Sequence, residues 1–215
     1  MTDPKRFDII TEADARVLEP GTTVVVVRGG HVTPLAGDTL RDRRVTVMRD
    51  DGRVGEDLEG LAPVAQIRTV AVGSDHTGVD LKRSLVETLR SRGLKVLEFG
   101  AVDKAPVDYP DVAAAVARLV ARREADAGIV IDGAGLGSSI AANKIAGIRA
   151  AMCPNETLAR YSRQHNGANV LALGASLLTP DEALRIVDAW LSTPMTEGRY
   201  IRRLAKVRAL EERGR

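Results

Sequence analysis

The most constraining feature of the sequence is a regular alternation of short apolar runs and longer helical patterns that begins at Thr69. The predicted strands are residues 69–73, 95–99, 128–131, 148–152 and 170–173. The predicted helices are residues 81–92, 112–123, 139–145, 156–165 and 181–191. This alternation predicts an α/β fold with a mostly parallel five-stranded sheet, because parallel neighbours need right-handed crossovers.

Residues with useful chemistry follow three of the predicted strands. Asp75 and His76 come after the first, Asp132 after the third, and Cys153 and Asn155 after the fourth. Ligands of open α/β sheets bind beyond the carboxyl ends of the strands. We therefore expect a ligand site at this edge of the sheet.

A glycine-rich turn stands at the centre of this predicted edge, in the stretch GIVIDGAGLGSSIAANK from Gly128 to Lys144. Its three glycines are Gly133, Gly135 and Gly137. They let the backbone approach a ligand closely, and we expect Ser138 and Ser139 to cap the following helix. Because a helix N-terminus favours negative charge, the pattern alone predicts a phosphate site.

Composition and charge exclude several classes of protein. The 31 basic and 29 acidic residues leave a net charge of +2, and aromatic residues make up only 3%, which argues against nucleic-acid binding. No apolar run approaches the roughly 18 residues of a membrane span. The single cysteine, Cys153, excludes an internal disulfide and a multi-cysteine zinc site. The charged N-terminus does not resemble a signal peptide, so a cytoplasmic protein is expected.

The first 66 residues differ from the rest and are predicted to form a small β-containing extension. Thr11 and Asp14 are a plausible capping pair for a short helix, which Pro20 and Gly21 would end. Residues 22–27 and 45–48 are strand candidates, and Gly29 and Gly30 are expected to break the first. Residues 50–52 indicate a turn, and the charged residues 53–59 indicate a linker.

Six short motifs occur together in order within residues 69 to 210. They are Gly73-Ser74-Asp75-His76, Asp108-Tyr109-Pro110-Asp111, the glycine turn ending in Ala141-Ala142-Asn143-Lys144, Gly147-Ile148-Arg149-Ala150, Gln164-His165-Asn166 and Gly198-Arg199. In this combination the chain resembles the ribose-5-phosphate isomerase B family, which includes the galactose-6-phosphate isomerase subunits. We accordingly assign residues 67–215 to an isomerase domain.

The resemblance implies properties of fold, assembly and reaction that composition and spacing do not show. It implies a Rossmann-like three-layer sandwich and a homodimer or homotetramer with sites at the subunit interface. It also implies that no metal or cofactor is needed. The implied reaction interconverts aldose and ketose phosphates through an enediol, which requires a base, a ring-opening group, enediolate stabilisation and a phosphate anchor.

Roles carry over from the family onto matching positions of this chain. His165 matches the ring-opening histidine, and Arg199 and Arg203 match phosphate-binding arginines that reach across the interface. The other substrate-contacting positions are Asp75, His76, Tyr109 and Asn166, with the backbone of Gly133, Gly135 and Gly137 near the reacting oxygens. From the residues alone, ordinary structural roles compete: His165 as a helix-end charge, Asp75 as an N-cap, Tyr109 as packing, the arginines as a solvated face, and Cys153 as a buried apolar residue.

The chain departs from the family at the base. Many members have a cysteine where this chain has Asp132, and a second subgroup has a glutamate where this chain has Ser138. Ala134 also replaces a frequent threonine. A carboxylate can transfer the proton if burial raises its pKa from about 3.9 toward the working pH, so Asp132 is the predicted base.

Two functions remain open at this point. One is a sugar-phosphate isomerase that uses Asp132 and His165, and the other is a sugar-phosphate-binding or scaffold protein of isomerase ancestry. A dinucleotide-binding loop is excluded, because Ser138 stands where the fingerprint needs its last glycine and the turn follows the third strand.

A second, shorter resemblance concerns the extension. Residues 10–13, 31–36 and 40–45 are similar to N-terminal modules of enzymes associated with bacterial microcompartments. This similarity implies shell or cargo proteins as partners and a location inside a microcompartment. The competing interpretation is an appendage that stabilises the oligomer.

Overall fold

The computed structural model describes residues 4 to 49 and 61 to 213, and the chain divides into two compact units. The first unit combines Met1–Gln66 with Gln164–Gly167 and Pro194–Arg215. The second unit consists of Ile67–Arg163 and Ala168–Thr193. The predicted turn at residues 50–52 and the predicted linker at 53–59 lie outside the described residues.

The second unit is built on a five-stranded parallel sheet with the order β5-β4-β6-β8-β7. Its strands are β4 (Thr69–Ser74), β5 (Lys95–Gly100), β6 (Ala127–Asp132), β7 (Ala150–Met152) and β8 (Val170–Gly174). The helices between and after them are α3 (Val79–Ser91), α4 (Tyr109–Ala121), α5 (Leu136–Ala142), α6 (Glu156–Asn166) and α7 (Pro180–Ser192). The predicted α/β fold with a five-stranded parallel sheet is thus confirmed.

Apolar side chains cover both faces of this sheet, which gives three layers. On one face, buried residues of α3 and α7 such as Leu85 and Trp190 pack against the strands. On the other face, α4 residues such as Val116 pack beside Ala142 of α5. Because β6 lies between β4 and β8 in the middle of the sheet, all six of its residues are buried. The centre of the carboxyl edge is therefore held rigidly.

The first unit contains a parallel sheet of three strands in the order β1-β2-β3. These strands are β1 (Lys5–Ile10), β2 (Thr23–Val32) and β3 (Thr46–Arg49), with α1 (Glu12–Val17) and α2 (Pro34–Asp42) between them. Helix α8 (Gly198–Arg213) belongs to the same unit. The predicted pair of Thr11 and Asp14 forms a complete capping box at the start of α1.

The prediction that Gly29 and Gly30 break the second strand was wrong. Strand β2 continues to Val32, and its register against β1 shifts between Phe7 and Ile9, as at a β-bulge. A Cβ atom at Gly30 would lie 2.3 Å from the carbonyl oxygen of Asp8, so only glycine allows this approach of the two strands. A glycine in a strand can mark a bulge as well as an end.

Within the described residues, no helix has both the length and the apolarity needed to cross a lipid bilayer. Nor do these residues include a cluster of three or more histidine, cysteine or acidic side chains suited to a metal ion.

Candidate active site

Asp132 is the last residue of β6, and the backbone of the segment that follows it surrounds its carboxylate. Oδ1 accepts hydrogen bonds from the N–H of Ala134, at 2.8 Å, and of Gly135. Oδ2 accepts from the N–H of Ser138 at 2.7 Å. The residue is only 5% exposed. The glycine turn therefore already holds an anion, and that anion is a side chain of the protein.

This arrangement corrects the expected capping of α5. Ser138 and Ser139 lie inside the helix, whose N-cap is Gly135 with φ +76° and no side-chain cap of its own. The Asp132 carboxylate replaces such a cap, since it accepts the N–H of Ser138 in the first turn. The phosphate site predicted from the glycines is thus occupied by Asp132.

The hydrogen bonds also decide the ionisation of Asp132. Burial raises the pKa of its carboxyl group, but the Ser138 side chain and the N–H groups of Ser138, Gly135 and Ala134 favour the charged form. The net pKa lies below the ordinary value for aspartate. The condition set by the sequence analysis, a pKa raised toward the working pH, is not met.

Tyr109 and the glycine turn fit together closely. Tyr109 is the first residue of α4 and is 40% exposed. A Cβ atom at Gly137 would lie 2.6 Å from its ring carbon Cζ and 3.1 Å from its hydroxyl oxygen. A Cβ atom at Gly135 would lie 2.9 Å from the backbone of Leu173. Glycine at 135 and 137 is therefore explained by close packing, and the structure brings Tyr109 to this turn.

Asp75 and His76 organise the turn that follows β4. Oδ1 of Asp75 accepts from the N–H of Thr77 at 2.9 Å, from its hydroxyl at 2.6 Å, and from the N–H of Gly78 at 3.2 Å. The prediction that Asp75 is the N-cap of the following helix was wrong, because Gly78 is the N-cap of α3 and Asp75 instead closes the turn before it. Nδ1 of His76 accepts from the N–H of Val107 at 3.3 Å, which fixes the orientation of the ring.

Two hydroxyl groups near Gly133 were missed by the sequence analysis. A Cβ atom at Gly133 would lie 3.7 Å from Oγ1 of Thr77 and 3.7 Å from Oγ of Ser176. The N–H of Ser176 also donates to the carbonyl oxygen of Gly133 at 3.0 Å. Ser176 follows β8 and belongs to none of the motifs quoted above, so no sequence pattern indicated it.

Lys82 was also missed, and it is buried beside the same edge of the sheet. Its Nζ donates to the carbonyl oxygens of Phe99 at 3.1 Å and Ala101 at 2.6 Å. Burial lowers the pKa of Lys82. The lysine thereby fixes the chain just after β5, from which the loop leads to Tyr109. The sequence did carry a signal for Lys82, because this charged residue stands among the buried positions of α3, where an apolar residue is normal.

His165, Arg199 and Arg203 meet around Tyr200, a residue that the sequence analysis did not select. The His165 and Tyr200 rings lie 4.6 Å apart between centroids. The guanidinium carbons of Arg199 and Arg203 lie 4.8 Å and 5.5 Å from the Tyr200 centroid. Arg199 also donates to the Tyr200 hydroxyl at 3.0 Å and pairs with Glu197 at 2.7 Å. Tyr200 is thus the shared contact of the imidazole and the two guanidinium groups.

The predicted site residues thus form two groups. Asp75, His76, Tyr109, Asp132 and the three glycines belong to the second unit, whereas His165, Asn166, Arg199 and Arg203 belong to the first. His165 and Asn166 are the last two residues of α6. Cys153 is fully buried, with its pKa raised by burial, as expected of a small apolar residue.

Comparison with known proteins identifies the family. The sequence profile described as Ribose/Galactose Isomerase matches residues 70–207. Ribose-5-phosphate isomerase B of Escherichia coli is 44% identical over 147 residues, which are 68% of this chain and 99% of that protein. None of these comparisons supports the similarity of residues 1–66 to microcompartment modules.

Solved structures agree with the sequence comparison. Ribose-5-phosphate isomerase B of Clostridium thermocellum is 48% identical, with a TM-score of 0.67 over 68% of this chain and 99% of that one. The Mycoplasma genitalium enzyme, solved with bound ribulose-5-phosphate, is 38% identical, with a TM-score of 0.65 over 67% and 96%. The chain therefore belongs to the ribose/galactose isomerase family of sugar-phosphate isomerases.

Proposed function

We propose that this chain is an aldose-ketose isomerase that moves a proton between C1 and C2 of a phosphorylated sugar through an enediol. The substrate is a pentose phosphate such as ribose 5-phosphate and ribulose 5-phosphate, or a related tetrose or hexose phosphate. The observation that carries the proposal is the ionised Asp132 carboxylate at the carboxyl end of β6, which the glycine turn holds and against whose Gly137 the ring of Tyr109 packs. The bound ribulose-5-phosphate of the Mycoplasma genitalium relative supports the substrate class.

In this proposal Asp132 is the base. It takes the C–H proton and returns it to the neighbouring carbon, so that the carboxylate is regenerated in each turnover. Three N–H donors stabilise the ionised form, which keeps Asp132 ready to accept a proton at neutral pH. The same donors lower its basicity, so we expect a slower chemical step than a base with a pKa near 7 would give.

The remaining roles fall to side chains of both groups. His165 assists opening of the sugar ring, and Arg199 and Arg203 bind the phosphate as charged hydrogen-bond donors. Asp75, His76, Tyr109 and Asn166 contact the sugar. The clustering of His165 with both arginines around Tyr200 supports a common task for these three residues. As the family resemblance implies, we propose a homodimer or homotetramer with the sites at the subunit interface, which sedimentation analysis tests.

A second candidate is a sugar-phosphate-binding protein of isomerase ancestry that no longer catalyses the reaction. The observation that favours it is that both carboxylate oxygens of Asp132 already accept N–H bonds and that the pKa of this group lies below its ordinary value. In that case Asp132 is a permanent cap of α5, and its former catalytic position serves only stability.

Proton exchange with solvent separates the two candidates. Ribose 5-phosphate, erythrose 4-phosphate and galactose 6-phosphate are incubated with the protein in D₂O, and deuterium at C2 is followed by NMR. The isomerase proposal expects exchange with at least one sugar, and a loss of about 10³-fold or more in Asp132→Asn, which keeps its affinity for the sugar phosphate.

Asp126→Asn is the matched control. Oδ2 of Asp126 accepts the N–H of Arg68 and of Thr69 at 2.8 Å each, so this carboxylate has a similar structural task at the amino end of β4. Exchange retained in Asp126→Asn and lost in Asp132→Asn assigns the chemistry to position 132. Thermal stabilisation by sugar phosphates without exchange of any of them rejects the isomerase and supports the second candidate.

A further inference from the structure

The N-terminal sheet of this chain is joined to the segment that carries the two phosphate-binding arginines. The N–H of Val47 in β3 donates to the carbonyl oxygen of Thr196 at 3.0 Å, and Val47 and Glu197 form a parallel bridge. The residues just before α8 thus continue the sheet beyond β3. Their backbone position is therefore set by the extension.

A buried hydroxyl group adds a second connection at the same place. Thr46 is 5% exposed, and its Oγ1 donates to the carbonyl oxygen of Met195 at 3.0 Å. Gly198, the first residue of α8, lies so close to β3 that a Cβ atom on it would be 2.9 Å from the Cα of Met48 and 2.9 Å from the nitrogen of Arg49. Helix α8 accordingly starts directly against β3.

A small apolar core completes the connection and includes Tyr200. Its buried members are Leu61, Met195, Tyr200, Ile201 and Leu204, with Met48 packed against them. The segment that holds His165 reaches the same core, since a Cβ atom at Gly167 would lie 2.6 Å from Cδ1 of Leu204. Tyr200 in turn contacts His165, Arg199 and Arg203.

The matched Escherichia coli relative has no counterpart of the N-terminal extension. The 147 aligned residues account for 99% of the Escherichia coli protein, and the family profile begins at residue 70. The extension is thus an addition, and every contact described above joins it to a segment within or next to the family region. An addition used only for targeting has no need to contact the start of the arginine helix.

We propose that the N-terminal extension is a positioning element for phosphate binding, which fixes the start of α8 and thereby places Arg199 and Arg203. This inference rests on the proposed function, because it takes the phosphate of the sugar as the ligand of the two arginines. Displacing a charged donor by about 1 Å weakens a bidentate contact with phosphate strongly. The extension therefore controls substrate affinity, and the proton-transfer step is independent of it.

Two substitutions in the full-length chain test this, each with a matched control in the same unit. Thr46→Val removes the hydroxyl that donates to the carbonyl oxygen of Met195, and Thr22→Val removes a hydroxyl that donates to the carbonyl oxygen of Glu19 at 2.7 Å, away from α8. Gly198→Ala adds a methyl group against the backbone of β3, and Gly37→Ala adds one in α2 where the nearest atom is 4.0 Å away. Since alanine favours a helix more than glycine, any loss in Gly198→Ala reflects the contact.

The measurements are KM and kcat for ribose 5-phosphate, the dissociation constant for inorganic phosphate, and far-UV circular dichroism. We expect Thr46→Val and Gly198→Ala to raise KM and the phosphate dissociation constant about 3-fold to 30-fold, with kcat changed less than about twofold. The two controls keep wild-type values. If Gly198→Ala does not fold, Thr46→Val carries the test.

Wild-type KM and phosphate affinity in folded Thr46→Val and Gly198→Ala overturn the inference and leave the proposed function intact. A fall in kcat at unchanged KM overturns it as well. Absence of both proton exchange and saturable phosphate binding in the wild-type protein overturns the proposed function itself, and the inference with it. A wild-type protein that binds phosphate without exchange still tests the inference through the dissociation constant.

Discussion

The two groups of candidate site residues differ in the sequence separation between each site residue and the residues that hold it in place. The N–H groups that hold the Asp132 carboxylate belong to residues 134 to 138, within six positions of the aspartate. The support of Arg199 comes instead from Tyr200, and through it from a core that includes Leu61 and Met195. The Asp132 carboxylate is thus held locally, whereas the cluster around Tyr200 depends on contacts that span more than a hundred residues.

This difference has energetic and evolutionary consequences. A local turn keeps its geometry as long as its strand and helix are intact, because the contacts that close it cost little chain entropy. The cluster around Tyr200 needs segments that only the folded chain brings together. A change in the N-terminal extension can therefore alter phosphate binding without touching the reacting end of the sugar, and the extension of this family member acts on the more adjustable group.

Deletion of residues 1–66 produces the largest expected effect and tests the comparison directly. It removes β3 and Leu61, and so exposes Met195, Ile201 and Leu204 to water. We expect the second unit to stay folded, because its cores belong to strands β4 to β8 and helices α3 to α7. Affinity for a phosphosugar should fall more than about 100-fold, since two charged contacts worth about 1.5 to 3 kcal/mol each are displaced.

Fluorescence of Trp190, the single tryptophan, reports whether the second unit survives the deletion. The alternative predicted from the sequence is a microcompartment cargo module. If the extension is such a module, its deletion leaves activity and oligomer mass unchanged, and only co-assembly with shell or cargo proteins is lost. Equal activity of the truncated and complete chains would break the comparison. Loss of the oligomer together with the affinity would favour the stabilising appendage, whereas the positioning role expects the affinity to fall while the oligomer mass is kept.

The comparison also explains what the sequence could reveal. The strands of the second unit were predicted within about two residues, because buried parallel strands are apolar runs bounded by helical patterns. Asp132 was found because it follows such a strand directly. The hydrogen bonds between its carboxylate and the glycine turn were not predicted, because they depend on the left-handed backbone conformation of Gly135.

The first unit was harder to predict for physical reasons. Strand β1 and helix α2 were missed, because Lys5–Ile10 is largely exposed and Pro34–Asp42 contains a glycine and charged residues. Tyr200 carries no sequence signal for its contact with His165, since that contact depends on how α8 packs. Thr46 and Met195 are 149 residues apart, and no periodicity connects them.

A pair of glycine substitutions sharpens the local side of the comparison. Gly137→Ala forces a methyl group against the Tyr109 ring, at 2.6 Å from Cζ, and should lower the free energy of unfolding of the second unit by about 1 to 3 kcal/mol. Gly133→Ala is the control, because the nearest side-chain atoms around its added Cβ, in Thr77 and Ser176, lie at an ordinary 3.7 Å. Urea unfolding followed by Trp190 fluorescence measures both. Equal losses in the two variants would show that Tyr109 does not pack on the turn.

The pH dependence of Asp132→Asn gives the smallest expected effect and asks whether the turn holds a charge. The folded pKa of Asp132 lies below its ordinary value, so its ionised form stabilises the fold at any pH above the unfolded pKa of about 3.9. That contribution disappears as the pH falls through the folded pKa. We expect Asp132→Asn to cost about 1 to 2 kcal/mol between pH 5.5 and 8 and progressively less below about pH 4. Urea unfolding of both proteins across this range measures the difference, with Asp126→Asn as reference. A difference that grows as the pH falls would mean that the turn stabilises the protonated acid, which is the state that a base of raised pKa requires, and the local group would then be tuned for proton transfer more strongly than its hydrogen bonds indicate.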